Sequence, residues 1–193
     1  MLREGIASVI GSESDMTIVA TAADGREAVE RFREHRPDVT LMDVQMPVMG
    51  GIDAMIAIRS EFAQARVLML TTYRGDVQAK RALKAGAAGY LLKSALRTDL
   101  LDTIRLVHGG RRFIEGAVAI ELSEHMDDEA LSPREISVLT LVAAGNANKR
   151  VAIALHISEE TVKAHMKSVL SKLGASDRTH AVTIALKRGI LDV

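Results

Sequence analysis

The feature that most restricts this chain is an alternation of short apolar runs with helix-length amphipathic stretches across residues 1–112. Strand-like runs fall at residues 17–20, 39–42, 66–70 and 89–92. Helical periodicity falls at 2–10, 25–34, 51–60, 76–85 and 96–107. Strands separated by helices cannot pair as hairpins, so the expected arrangement is a parallel sheet covered by helices on both faces. In such sheets the chemistry gathers at the carboxyl ends of the strands.

Three polar residues stand at those ends: Asp43, Thr71 and Lys93. Taken singly they are a turn former, a strand-end hydroxyl and a solvated charge. Converging on one rim they make a phosphoryl site. The carboxylate would be the nucleophile, the ammonium would neutralise added charge, and the hydroxyl would bond a phosphate oxygen.

The second constraining stretch is residues 158–174, SEETVKAHMKSVLSKLG. Ser158 suits an N-cap, Glu159 and Glu160 suit the positive end of a helix dipole, and Gly174 suits the terminus. Val162, Met166, Val169, Leu170 and Leu173 share one face, and Lys163, Ala164, Lys167, Ser168 and Ser171 are assigned to the other. A small residue flanked by lysines one turn apart fits either an ordinary amphipathic surface helix or one lying in a DNA major groove. Residues 148–157, NKRVAIALHI, supply a short preceding helix and a tight joint, which is the helix-turn-helix arrangement. Charge agrees with it: residues 1–130 hold 16 Lys and Arg against 20 Asp and Glu, a balance of −4, whereas residues 131–193 hold 9 against 5, a balance of +4. Only the second part is expected to meet a polyanion.

The chain of 193 residues has room for two small domains, and 48% hydrophobic with 26% charged residues is a globular composition. It has no cysteine, hence no disulfide, thiolate site or thiol switch. No apolar run approaches a membrane span, and the opening Met1-Leu2-Arg3-Glu4 does not lead into a signal-peptide core, so the expected location is cytoplasmic. No catalytic base, metal cluster or phosphate-binding glycine loop is present to suggest an independent enzyme.

Residues 131–189, LSPREISVLTLVAAGNANKRVAIALHISEETVKAHMKSVLSKLGASDRTHAVTIALKRG, closely resemble the DNA-binding domain of LuxR-type (NarL/FixJ) regulators. LMDVQMPVMGG, VLMLTTY and KAGAAGYLLK resemble the receiver domain of two-component response regulators. The resemblance implies a receiver-like (flavodoxin-like) α/β domain at 1–112, a linker at 113–130 and an all-α helix-turn-helix domain at 131–193. It implies Asp43 as phosphoacceptor, with Thr71, Tyr90 and Lys93 as the switch residues and Met46-Pro47 in the loop after the acceptor. In that family, phosphorylation draws the threonine inward, the aromatic follows, and the altered face changes partners. In the output domain it implies Lys149, Thr161, His165 and Arg178 at phosphate contacts and Lys163, Ala164 and Lys167 in the groove. His165 fits a packed or water-facing histidine equally well. The implied partners are double-stranded DNA, a second copy in a homodimer and a sensor histidine kinase, with no membrane.

Departures from the family pattern carry expectations of their own. Receivers begin with a strand ending in two acids that hold Mg²⁺, whereas Met1-Leu2-Arg3-Glu4-Gly5-Ile6 resembles the first helix after that pair. No cofactor is therefore expected: Mg²⁺ would find Asp43 as its one obvious carboxylate, and nothing in the spacing of Glu13, Asp15 and Asp24 suggests substitutes. The sheet is expected to lack its first strand, leaving a gap unless residues 17–20 pair with 39–42 or another chain fills it. Regulation without phosphate, or antagonism by pairing with intact homologues, is the alternative function. Residues 117–122 and the acidic run 124–129 read as a solvated linker. Ser132-Pro133-Arg134-Glu135 reads as a helix start in which Glu135 is a capping-box residue and nothing more. Ala147 stands where a capping serine is usual, Asn146 or Asn148 being the possible substitutes, and Arg150 replaces a usual acid, favouring phosphate contact. The stripe Val182, Ala185, Leu186 fits a dimer surface or the domain's own core.

Overall fold

The computed structural model describes residues 2–72, 75–126 and 128–191. The chain forms two compact units, residues 1–72 with 80–116, and residues 73–79 with 117–193.

In the first unit the elements run α1 (Leu2–Gly11), α2 (Gly25–His35), β1 (Thr40–Asp43), α3 (Gly51–Glu61), β2 (Val67–Thr71), the later part of α4 (Asp76–Lys84), β3 (Gly89–Leu92), α5 (Leu96–His108) and β4 (Phe113–Ile114). The strands pair in parallel in the order β1-β2-β3-β4. Their apolar runs are explained by burial on both faces: every residue of β2 and β3 is buried. Leu68, Leu70 and Leu91 pack with Leu96 and Leu100 of α5, while α3 buries Ile52, Met55 and Ile58. Asp24 caps α2, accepting the N–H groups of Arg26 at 2.8 Å and Glu27 at 3.0 Å. Phe32 of α2 stacks on Phe62 at 5.4 Å, and the Arg36 guanidinium lies 3.5 Å from the centre of the Phe62 ring.

Two expectations fail. Residues 17–20 form no strand; Thr17, Ile18 and Val19 are exposed, and β1 is the sheet edge. The run is apolar enough for a strand, but among the described residues no ladder partner pairs with its backbone. Residues 113–130 are not simply a solvated linker: Phe113–Ile114 completes the sheet, and Gly116–Glu124 is helical (α6) with Val118 wholly buried. Of the acidic run, Asp127 lies outside the described residues.

The second unit contains α7 (Pro133–Ala143), α8 (Asn148–Leu155), α9 (Glu159–Leu173) and α10 (Arg178–Lys187) around Val138, Leu139, Val151, Val162, Val169, Ala181 and Ala185. Ser132 and Glu135 form a reciprocal capping box at α7. At α8 Ala147 occupies the N-cap without a side-chain bond, while the Asn146 amide donates to Leu141 O at 2.9 Å. His156 turns the chain between α8 and α9 in the left-handed region at φ 54°, Ser158 caps α9, and Gly174 closes it at φ 59°. On α10, Ala185 is wholly buried, and Val182 and Leu186 pack half-buried against the same core. Within this unit Arg188 also donates from Nε and Nη2 to the two carboxylate oxygens of Asp76, each at 2.9 Å.

Candidate functional site

The strand order of the first unit brings Asp43 and Lys93 together across β1, β2 and β3. Lys93 Nζ lies 2.5 Å from Asp43 Oδ2, with both side chains partly exposed at 22% and 30%. The other carboxylate oxygen, Oδ1, accepts the Gln45 N–H at 3.1 Å. The strand end owes its placement to Gly51: a Cβ there would stand 1.8 Å from Asp43 O, so only glycine lets α3 start this close to β1. The loop between them is strained. Val48, a β-branched residue 75% exposed, takes φ 65°, and Met49 N–H donates to Pro47 O at 2.7 Å across it.

Thr71 ends β2 with only 3% exposure, and Tyr90 on β3 is wholly buried. Burial pushes the Tyr90 hydroxyl above its ordinary pKa, opposed by the Thr71 hydroxyl. The rim therefore assembles one accessible acid–ammonium pair and a buried hydroxyl–aromatic pair. One contributor was not anticipated. Glu115, just past β4, accepts the Leu92 N–H on Oε2 at 2.7 Å and donates its own N–H to Tyr90 O at 3.2 Å, gripping the end of β3 beside Lys93.

The donor set does not fit Mg²⁺. Among the described residues no group of three or more His, Asp or Glu side chains converges to hold an ion. Glu13 and Asp15 are engaged by Arg105 of α5, at 2.6 Å for Glu13 and 2.9 Å for Asp15, and the Arg105 hydrogen bond holds the Asp15 carboxyl below its usual value. Asp24 is spent on its helix cap.

The other candidate residues lie in the second unit, where α9 buries Val162, Met166, Val169 and Leu173. Lys163, Ala164 and Lys167 are exposed on the opposite side, and His165 and Thr161 are half-buried at its margins. Lys163 Nζ is 2.7 Å from Glu160 Oε1, and Thr161 Oγ1 shares a 2.8 Å hydrogen bond with the Ser158 hydroxyl. Lys149 and Arg150 are exposed at the start of α8, and Arg178 donates to Asn146 O at 2.9 Å. Ser168 does not belong to the outward set. Its hydroxyl donates inward to Glu135 Oε1 at 2.6 Å, while Lys172 reaches Glu135 Oε2 at 3.0 Å and Glu129 at 3.0 Å. Glu135 is therefore more than a capping residue: it ties α7 to α9. Burial works against its charge, but bonds from Ser168, the Ser132 N–H and Lys172 outweigh that and hold its pKa at about 2. The available signal was Ser168 and Lys172 one turn apart, on the same side of α9.

Residues 1–105 match the response regulator receiver domain, and residues 129–185 match the bacterial regulatory proteins of the luxR family. The response regulator protein VraR of Staphylococcus aureus is 37% identical over 196 residues, covering 99% of this chain and 94% of VraR. The crystal structure of the response regulator ChrA from a heme-sensing two-component system is 37% identical with a TM-score of 0.57, covering 98% of this chain and 93% of that one. RcsB from Salmonella enterica serovar Typhimurium bound to a promoter shares the fold, with a TM-score of 0.68 at 23% identity over 96% of this chain and 93% of that one. The chain belongs to the two-component response regulators, non-enzymatic transcription factors that join a receiver domain to a LuxR-family DNA-binding domain.

Proposed function

We propose that Asp43 is the phosphoryl acceptor of this regulator and that the outward face of α9 reads DNA. For the first, the observation that carries the reading is the 2.5 Å Asp43–Lys93 pair at the carboxyl ends of the strands. An Asp43 carboxylate oxygen bonds to phosphorus as the bond from phosphorus to a histidine nitrogen of the sensor kinase breaks; with the ring's other nitrogen protonated, the electron pair goes to the departing nitrogen and neutral imidazole leaves. Lys93 then neutralises part of the new dianion. Thr71 and Tyr90 form the buried pair that the added charge acts on. Asp43 at a receiver of 1–112 controls the output domain of 131–193 through residues 113–130. The test is incubation with acetyl phosphate and Mg²⁺ followed by intact mass: the mass of one phosphoryl group, absent in Asp43→Asn, supports this reading. The second reading is a regulator working without phosphate through protein pairing, supported by the engagement of Glu13 and Asp15 by Arg105 and of Asp24 by its helix cap; no mass gain under conditions that label an intact receiver selects it.

For DNA, α9 carries Lys163, Ala164 and Lys167 outward on a four-helix core, as a groove-entering helix requires. Lys149, Thr161, His165 and Arg178 flank them at phosphate-contact positions. Val182 and Leu186, half-exposed on α10, give a homodimer its contact, so that two α9 helices meet two half-sites. No helix among the described residues is long and apolar enough to cross a membrane, and we place the protein in the cytoplasm. Loss of a base-reading Lys163 weakens specific binding by about 1–3 kcal/mol, whereas loss of a phosphate contact weakens all sequences alike. Competition with scrambled DNA separates the two, and unchanged affinity in Lys163→Ala removes both.

A further inference from the structure

The outward face of α9 contains an acid that a phosphate contact does not explain and that the helix dipole, which Glu159 also complements, does not require at the centre of that face. Glu160 is in the first turn, its side chain 82% exposed, beside Lys163. At about 100° per residue it falls in azimuth between Lys167 and Ala164, at the centre of the proposed reading face. Glu159, one residue earlier, points away from that centre and already complements the positive end of the dipole. A carboxylate at the middle of a DNA-facing surface is repelled by phosphates, and it faces bases that mostly present acceptors.

From this placement, and resting on the reading of α9 as the groove helix, we propose that Glu160 is a specificity-determining residue that selects cytosine within each half-site. A carboxylate only accepts hydrogen bonds. Of the major-groove edges, cytosine offers the N4 amino donor; adenine pairs its N6 donor with the N7 acceptor; guanine and thymine turn acceptors toward the protein. N-terminal residues of a recognition helix are those that reach base edges, and Glu160 is placed there. Its contact with Lys163 does not compete strongly, because so exposed a pair contributes little. The pair divides the work: Lys163 meets guanine O6 or N7, and Glu160 meets the amino group of a cytosine in the same or the adjoining base pair. The acid also acts negatively, since any other base at that position faces an unpaired, desolvated carboxylate.

The experiment is selection from a pool of randomised duplex DNA with the full chain, as wild type, Glu160→Ala, Glu160→Gln, Lys163→Ala and Lys167→Ala. The expected wild-type motif has a cytosine whose replacement costs about tenfold or more in affinity. In Glu160→Ala the preference at that one position disappears while the rest of the motif stays. In Glu160→Gln it moves to adenine, the base a side-chain amide contacts at both N6 and N7. Identical motifs in wild type and both Glu160 variants, with affinity for all duplexes rising alike, overturn the assignment and leave Glu160 as a general electrostatic brake. If the motif also survives Lys163→Ala and Lys167→Ala, the reading of α9 as the groove helix fails together with it.

Discussion

Replacing Glu135 by alanine should destabilise the output domain by about 3 kcal/mol. The carboxylate is 5% exposed and accepts from Ser168 Oγ at 2.6 Å, the Ser132 N–H at 2.7 Å and Lys172 Nζ at 3.0 Å. Its pKa of about 2 against an ordinary 4.5 corresponds, at about 1.4 kcal/mol per unit, to roughly 3 kcal/mol of favourable interaction with the ionised form. The low end of the range for breaking a buried pair is the right comparison, about 3–5 kcal/mol. Lys172 is not stranded, because its side chain is 15% exposed and keeps Glu129. Glu135→Gln retains shape and some bonds but not charge, and should lose roughly half as much.

Urea unfolding of the full chain, followed by a probe in the output domain, measures both variants. The pH dependence gives an independent check. A carboxyl with a depressed folded pKa contributes fully above the unfolded value of 4.5, and loses that contribution as the pH falls toward about 2. The stability difference between wild type and Glu135→Gln should therefore be constant from pH 7 to about 5 and shrink steadily below it. If both variants unfold within about 0.5 kcal/mol of wild type at pH 7, or if the difference does not narrow in acid, the carboxylate network is not holding α7 to α9.

Three other perturbations test the receiver. Gly51→Ala drives a Cβ against Asp43 O and should cost about 1–3 kcal/mol in thermal or urea unfolding, while lowering the yield of acetyl phosphate labelling by displacing Asp43 from Lys93. Val48→Gly relieves the left-handed conformation in the exposed loop and should stabilise by about 1 kcal/mol, measured the same way. Asp24→Ala removes the cap of α2 and should cost about 1 kcal/mol, with faster amide exchange of Arg26 and Glu27 as the local signature.

What the sequence made legible follows the range of the forces involved. Residues 89–92 read as a strand and are one, since a fully buried apolar run with glycine at its start has few other uses. The pairing of Asp43 with Lys93, 50 positions apart, is legible in the sequence because a parallel sheet sends all its carboxyl ends to one rim. Residues 17–20 misled for the opposite reason: a short apolar run describes what a strand could bury, but a strand exists only through the neighbour that completes its ladder. The two-residue β4 was invisible from the same side of the argument, too short for periodicity and set by bonds such as Phe113 N–H to Ala88 O. Ser168 was misplaced because it sits at the border of α9's buried stripe, where a spacing rule cannot say which way a small hydroxyl turns. What turns it is the charge of Glu135, 33 residues away, and a buried carboxylate must be satisfied by whatever donors the crossing helix presents. By the same logic the exposed face of α9 is the part that packing leaves undetermined. Apart from the contact between Lys163 and Glu160, packing does not fix the identities of Lys163, Ala164, Lys167 and Glu160, and our proposal assigns them to what they touch outside the protein.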